Sequence, residues 1–315
     1  MAGKGPSKAE RRRRYKAAGW VGSGLLVGLA LSIGIWAFLD SPERASGSRS
    51  DAGPPVSEAP ELPEPPTSQK PEGVGGRGAR AAIIIDDLGN SRRYGRVVSE
   101  LAYPVAMAVL PRAPYAAYTA KKAHASGKEV LAHMPMEPGD SGVRLDASFL
   151  RAGMGREDLL ATLRSNLAGI PHVQGVNNHM GSRLTARSQP MEWVMETLRR
   201  RGLYFVDSRT TADTQGLREA REAGLPAAER DVFLDHDPSE EAVRKQFRAM
   251  LTQAREQGTA IAIGHPHPET LKVLREMLPQ ASRRGVEIVP FPEVVAVRSG
   301  QTAPGGSLAF KRSDN

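Results

Sequence analysis

The stretch Ala81-Ala82-Ile83-Ile84-Ile85-Asp86-Asp87-Leu88-Gly89 decides how the rest of the chain is read. Five consecutive apolar residues, three of them β-branched, predict a strand covered on both faces, as in a parallel sheet packed between layers. Two adjacent carboxylates then end the run, and Leu-Gly follows as a turn. The same design recurs downstream. Apolar runs are expected as strands at 105–110, 129–133, 175–178, 204–207, 232–234, 260–263 and 287–290. Helix-period segments lie between several of them, among them 156–168, 191–201, 240–257 and 269–284. Strands alternating with helices predict parallel βα units. About eight units in one domain, residues 80–297, suit a closed or nearly closed α/β barrel, with a doubly wound open sheet as the alternative.

The strand ends carry the chemistry. Besides Asp86-Asp87, they deliver His133, Asn177-Asn178-His179, Asp207, Asp235-His236 and His265-Pro266-His267. In a parallel barrel the C-terminal strand ends meet at one face, which holds the active site. Any one of these residues could be structural; Asp87 could cap its own turn, for example. The set is harder to explain as packing, because chance would scatter such groups over both ends. Asp and neutral imidazole are ligands for zinc and similar divalent ions. Of two adjacent carboxylates, one can bind the ion and the other accept a proton from an activated water, while His265 on a far strand could protonate a leaving group. The chemistry so indicated is metal-assisted hydrolysis of an amide or ester.

The flanking segments are of another kind. Residues 1–16 hold seven Lys and Arg against the single acid Glu10, a large part of the net charge of +8. Ala17 to Leu39 is a run of 23 uncharged residues with Trp20 and Trp36 near its ends. As a helix it would span roughly 34 Å, enough for a bilayer core. Basic residues before such a run hold the N-terminus in the cytoplasm, so the basic cluster reads as a topology signal rather than a nucleic-acid site. The run is long for a cleaved signal peptide, and an uncleaved single-pass anchor in the inner membrane is expected, with the domain on the periplasmic side. Residues 40–79 contain eight of the 24 prolines and no aromatic residue, the composition of a disordered tether. Residues 298–315 are polar and Gly-containing, and are expected to be a loose tail. Cysteine is absent, which excludes disulfides, thiolate nucleophiles and Cys-ligated zinc.

Taken together, Ile-Ile-Asp86-Asp87-Leu-Gly, His133-Met-Pro-Met-Glu137-Pro, Asn177-Asn178-His179-Met-Gly-Ser182, Phe205-Val-Asp207-Ser208 and Gly264-His265-Pro266 resemble the divergent polysaccharide deacetylases, a branch of the NodB-type deacetylases. The resemblance covers about residues 80–297. It implies a deformed (β/α) barrel, a divalent metal with zinc as first choice, and removal of acetyl groups from an N-acetylated envelope carbohydrate. It also implies that Asp86 is the base and Asp87 a metal ligand. The NodB pattern has two metal-binding histidines four residues apart. Here His133 matches the first, whereas Glu137 stands at the second. Either His179 supplies the missing imidazole from the next strand or Glu137 ligates directly; His179 is preferred, because it follows a strand end. The expected site is therefore Asp86 and His265 as catalytic groups, Asp87, His133 and His179 on the metal, and Asn178, Asp207 and His267 on substrate. No Arg-Pro-Tyr motif is recognisable, which leaves the oxyanion donor unassigned. A silent glycan-binding or scaffold protein using the same pocket is the alternative. The sequence carries no signal for oligomeric state.

Overall fold

The computed structural model describes residues 78–298. The expected cytoplasmic segment 1–16, anchor 17–39, most of the tether 40–79 and nearly all of the tail 298–315 lie outside the described residues. Among the described residues no helix is long and apolar enough to cross a membrane.

The described chain is an α/β domain built on one parallel sheet. Its strands are β1 (Ala79–Leu88), β2 (Val105–Val109), β3 (Val130–Met136), β4 (Gly175–Met180), β5 (Tyr204–Asp207), β6 (Ala227–Glu229), β7 (Val232–Phe233), β8 (Thr259–Gly264) and β9 (Val286–Ile288). The helices are α1 (Arg92–Ser99), α2 (Ala116–Ala125), α3 (Arg156–Ala168), α4 (Ser188–Arg200), α5 (Gly216–Glu222), α6 (Glu240–Gln257), α7 (Pro268–Ala281) and α8 (Phe291–Arg298), with a 3-10 turn at Ser282–Arg284. Local signals set their ends. The Ser239 hydroxyl accepts the Ala242 N–H at the start of α6, two glutamates follow in its first turn, and Gly258 at φ +84° ends it.

The strand order is β6-β5-β4-β3-β2-β1-β8-β7, all parallel, so the sheet curls with β6 and β7 at its two ends. These two strands are neighbours in sequence, and the chain between them bridges the ends. Arg230 N–H donates to Asp207 O at 2.9 Å, on the β5 side, and Asp231 N–H donates to Ile261 O at 2.9 Å, on the β8 side. Two expectations need correction. The strand expected at 287–290 does not join the barrel circuit; β9 pairs only with the first residues of β1. The circuit includes instead the three-residue β6, too short to register as an apolar run. The result is a curled half-barrel, the deformed form of the expected closed or nearly closed α/β barrel.

Alternate residues sort into two cores, as a period of two requires. Ala81, Ile83 and Ile85 face the helices, together with Val105, Met107, Ala132 and Phe205. Ala82 and Ile84 face the lumen with Ala106, Leu131, Tyr204, Val206, Ile261 and Ile263. Phe291, Val294 and Val295 of α8 belong to this inner core and plug the end where β1 begins. At that same end Gly175 lies so close to Tyr204 that a Cβ would sit 2.2 Å from its ring. With one end filled, the other, at the C-terminal strand ends, is left for a polar site.

Candidate active site at the strand ends

Parity along each strand selects which strand-end residues reach the mouth. Leu131, Val206 and Ile263 face the lumen, and His133, Ser208 and His265 stand two residues further on. Asp86 follows Ile84 in the same way. Asp87 should then point to the helix side, but β1 is bulged: Ile85 pairs with Met107 and Leu88 with Val109, so three steps on β1 match two on β2. Asp87 adopts φ +55°, a left-handed conformation that Asp tolerates better than most residues. The bulge brings both carboxylates to one imidazole. His133 Nε2 lies 3.6 Å from Asp86 Oδ2 and 3.2 Å from Asp87 Oδ1.

His179 completes a triangle. Its Nδ1 is 3.0 Å from Asp87 Oδ1 and 3.1 Å from His133 Nε2. Asp87 Oδ1 is buried and makes no well-formed hydrogen bond despite these neighbours. Three lone-pair atoms this close need a shared proton or cation between them. The edge of a tetrahedral site with bonds of 2.0–2.1 Å is about 3.3 Å, so the donors fit a divalent ion. His133 is oriented for this role. Asn177 Nδ2 donates to Asp86 Oδ1 at 2.7 Å, which leaves Asn177 Oδ1 to accept from His133 Nδ1 at 3.0 Å, and His133 Nε2 is turned to the triangle. Glu137 stays outside it. Its Oε2 accepts the Ala152 N–H at 2.6 Å, and its Oε1 lies 3.5 Å from Arg183.

On the opposite wall Asp235 grips His265. Asp235 Oδ1 lies 3.0 Å from His265 Nδ1, and Oδ2 accepts the His265 backbone N–H at 2.6 Å and the Thr270 hydroxyl at 2.8 Å. His265 Nε2 is thereby aimed at the triangle, 3.8 Å from Asp87 Oδ2. His267 lies near enough to Asp235 and His265 to form a second donor group. There, however, the carboxylate is already satisfied by hydrogen bonds, so the Asp87 group is the better ion site.

The charges polarise these groups in opposite senses. Burial raises the Asp86 pKa, and the nearby positive charges and Asn177 only partly offset it. Burial would raise Asp87 too, but His133 and His179 outweigh it and hold that carboxyl far below its ordinary range. Burial depresses both His133 and His265. The carboxylates around them prevail, and both imidazoles titrate above their usual value.

These residues open on a cavity of about 410 Å³, lined by Asp86, Asp87, His133, His179, Arg230 and His265, among others. Asn178 is also in its wall. Its side chain clamps two loops, accepting the Ser208 N–H and donating to Met180 O, each at 2.8 Å. Asp207 and His267 are placed elsewhere. Asp207 has the parity of Phe205 and points towards the helices, where its oxygens accept the Arg209 N–H at 2.9 Å and the Thr214 hydroxyl at 2.7 Å. His267 is exposed at the N-terminus of α7 and is not part of the cavity wall. The sequence reading missed Asn177, Asp235 and Arg230 as site residues. The first two were visible as polar strand ends. Arg230 gives no signal beyond its place between two very short strands.

Residues 83–295 match the divergent polysaccharide deacetylase family. The uncharacterized protein YibQ of Escherichia coli K12 is 41% identical over 199 residues, 63% of this chain and 62% of that protein. An uncharacterized Haemophilus influenzae protein is 35% identical over 197 residues, 62% of this chain and 70% of its own length. The matched region thus spans less than two thirds of the E. coli relative. The crystal structure of an uncharacterized protein from Agrobacterium tumefaciens C58 superposes with a TM-score of 0.66 at 28% identity, covering 71% of this chain and 90% of that one. The chain described here belongs to the divergent polysaccharide deacetylase family.

Proposed function

We propose that this protein is a metal-dependent hydrolase that removes acetyl groups from an N-acetylated carbohydrate of the cell envelope. The observation that carries the reading is the Asp87–His133–His179 triangle, flanked by one buried carboxylate, Asp86, and one carboxylate-gripped imidazole, His265. A divalent ion on the triangle, zinc in the first instance, would supply Lewis acidity to the acetyl carbonyl and to the attacking water. Asp86 accepts the proton of that water as it adds to the carbonyl carbon; its raised pKa makes it a stronger base than an exposed aspartate. His265, whose pKa its carboxylate neighbours raise, gives its proton to the sugar nitrogen as the C–N bond breaks. Asp235 holds that imidazole in place. The products are acetate and a free amino sugar.

The test is metal analysis of the purified protein, followed by acetate release from envelope glycans with and without chelator. Stoichiometric metal and chelator-sensitive release support the reading. A protein that holds metal yet frees no acetate from any envelope glycan would instead be a sugar-binding member of the family.

The location follows from the segments outside the described residues. We place the domain, residues 80–297, outside the cytoplasm on the tether 40–79, held by an uncleaved anchor at 17–39 with the N-terminus inside. A reporter fused after Val297 should be active only when exported, and activity of the same fusion in the cytoplasm would overturn this placement.

A further inference from the structure

Arg230 stands at the bridged seam of the curl and lines the cavity beside Asp86 and His265. Its guanidinium is fixed on one side only. Nε donates to Ser208 O at 2.8 Å and Nη2 to Arg209 O at 3.1 Å, and the group lies 5.1 Å from the Phe233 ring centroid. Both bonds are to neutral carbonyls. The neighbouring cations have carboxylate partners: Arg209 pairs with Glu229 at 2.9 Å, and Arg298 with Asp231. Among the described residues no carboxylate lies within ion-pair distance of Arg230, although it feels the more distant charges of Asp86, Asp207 and Asp231. A partly buried guanidinium whose charge is not matched by a close anion is costly, and a planar fork facing a cavity is suited to an anion of carboxylate or phosphate shape.

We propose that Arg230 recognises an anionic substituent on the sugar, so that the substrate is an acidic N-acetylated carbohydrate rather than a neutral one. The inference rests on the deacetylase reading for the kind of ligand, and not for the charge. The triangle side of the cavity carries the ion-binding atoms of Asp87, His133 and His179. A ligand with its acetamide at the triangle and its negative group at Arg230 would match both walls. The mechanism above uses Arg230 for no proton transfer, so its role is in selection and binding.

The test is calorimetric titration of the full chain, without added metal, with three probes: N-acetylglucosamine, N-acetylmuramic acid and N-acetylglucosamine 6-phosphate. A charge-assisted hydrogen bond predicts that at least one acidic probe binds about tenfold more tightly than the neutral one. The stronger of the two acidic probes identifies carboxylate or phosphate as the preferred group. The preference should shrink as salt is raised. In Arg230→Gln the ratio of acidic to neutral affinity should fall to about one, while Arg230→Lys keeps part of it. The wild-type comparison and its salt dependence stand even if Arg230→Gln loosens the seam and lowers the melting temperature. Equal binding of all three probes, no binding at all, or a ratio unchanged in a folded Arg230→Gln would overturn the proposal. Acetate release by metal-loaded protein is measured separately. No acetate from any sugar, with the acidic preference intact, overturns the hydrolase reading and leaves Arg230 its role. Equal release from neutral and acidic sugars does the reverse.

Discussion

Asp235 holds His265 at two points, accepting its backbone N–H at 2.6 Å through one oxygen and facing its Nδ1 at 3.0 Å through the other. The first contact sets where the strand end lies, and the second sets ring orientation and charge. Asp235→Asn keeps an acceptor for the backbone but removes the charge that helps raise the His265 pKa. The imidazole should then lose its proton at lower pH, and the alkaline limb of the pH–rate profile should move towards acid. We expect acetate release to fall at neutral pH by up to about 10²–10⁴-fold, the full contribution typical of a general acid. The measurement is the pH dependence of acetate release in both proteins; coincident limbs would show that Asp235 acts on structure alone.

His179 and Glu137 make opposite predictions for the proposed ion. His179→Ala removes a corner of the donor triangle and should empty the site. Glu137→Ala should retain metal while costing about 1–3 kcal/mol of stability, because the Ala152 N–H loses its acceptor. Metal content and thermal melting of the two variants decide it. Loss of metal in Glu137→Ala with a full site in His179→Ala would reverse the ligand assignment.

Asn177 joins the proposed base to the proposed ligand, donating to Asp86 and accepting from His133. Asn177→Ala frees both. Metal affinity should fall by about 10–100-fold, the usual scale for losing the group that orients a ligand. Competition with a metal-binding dye measures it, and an unchanged affinity would mean that packing alone holds His133.

Glu129 lies at the opposite end of the sheet, accepting the Phe291 N–H at 2.8 Å and the Tyr204 hydroxyl at 3.2 Å. Burial pushes its pKa up to about 7 from the ordinary 4.5, against both hydrogen bonds. A carboxyl raised on folding stabilises most below the unfolded value and loses that stabilisation as pH rises through the folded value. Wild-type stability should therefore decline relative to Glu129→Gln between pH 4.5 and 7. At this domain size each 1 kcal/mol moves the melting temperature by about 2–4 °C. Parallel melting curves for the two proteins across that range would show that Glu129 is not titrating there.

Much of this was legible in the chain because two periodicities coincide. Apolar runs such as Ile83-Ile84-Ile85 announce strands, and parallel strands bring their polar ends together. The triangle's members were therefore all visible as residues. What one strand cannot show is which face a residue takes. Asp207 and His133 look alike as strand ends, yet only His133 has the lumen's parity. Nor does the sequence show a bulge: Asp86 and Asp87 read as one site, but strand alternation alone would part them, and only the register of β1 against β2 explains how both reach it. Arg230 was silent because its meaning comes from the edges of a curl brought together through tertiary structure.

The bridging of that curl at Arg230 and Asp231 divides the mouth into two arcs of different office. Asp87, His133 and His179 come from β1, β3 and β4, whereas Arg230, Asp235 and His265 come from the seam, the end of β7 and β8. The loop from Arg209 to Asp213, between β5 and α5, lies on the second arc, lines the cavity with Arg209 and Thr210, and carries no atom of the candidate ion site: it is a lip. Lengthening or recharging it would change which ligand is admitted without moving a single donor atom of the candidate ion site. A chimera that exchanges this lip between two members of the family tests whether it sets which ligand the cavity admits.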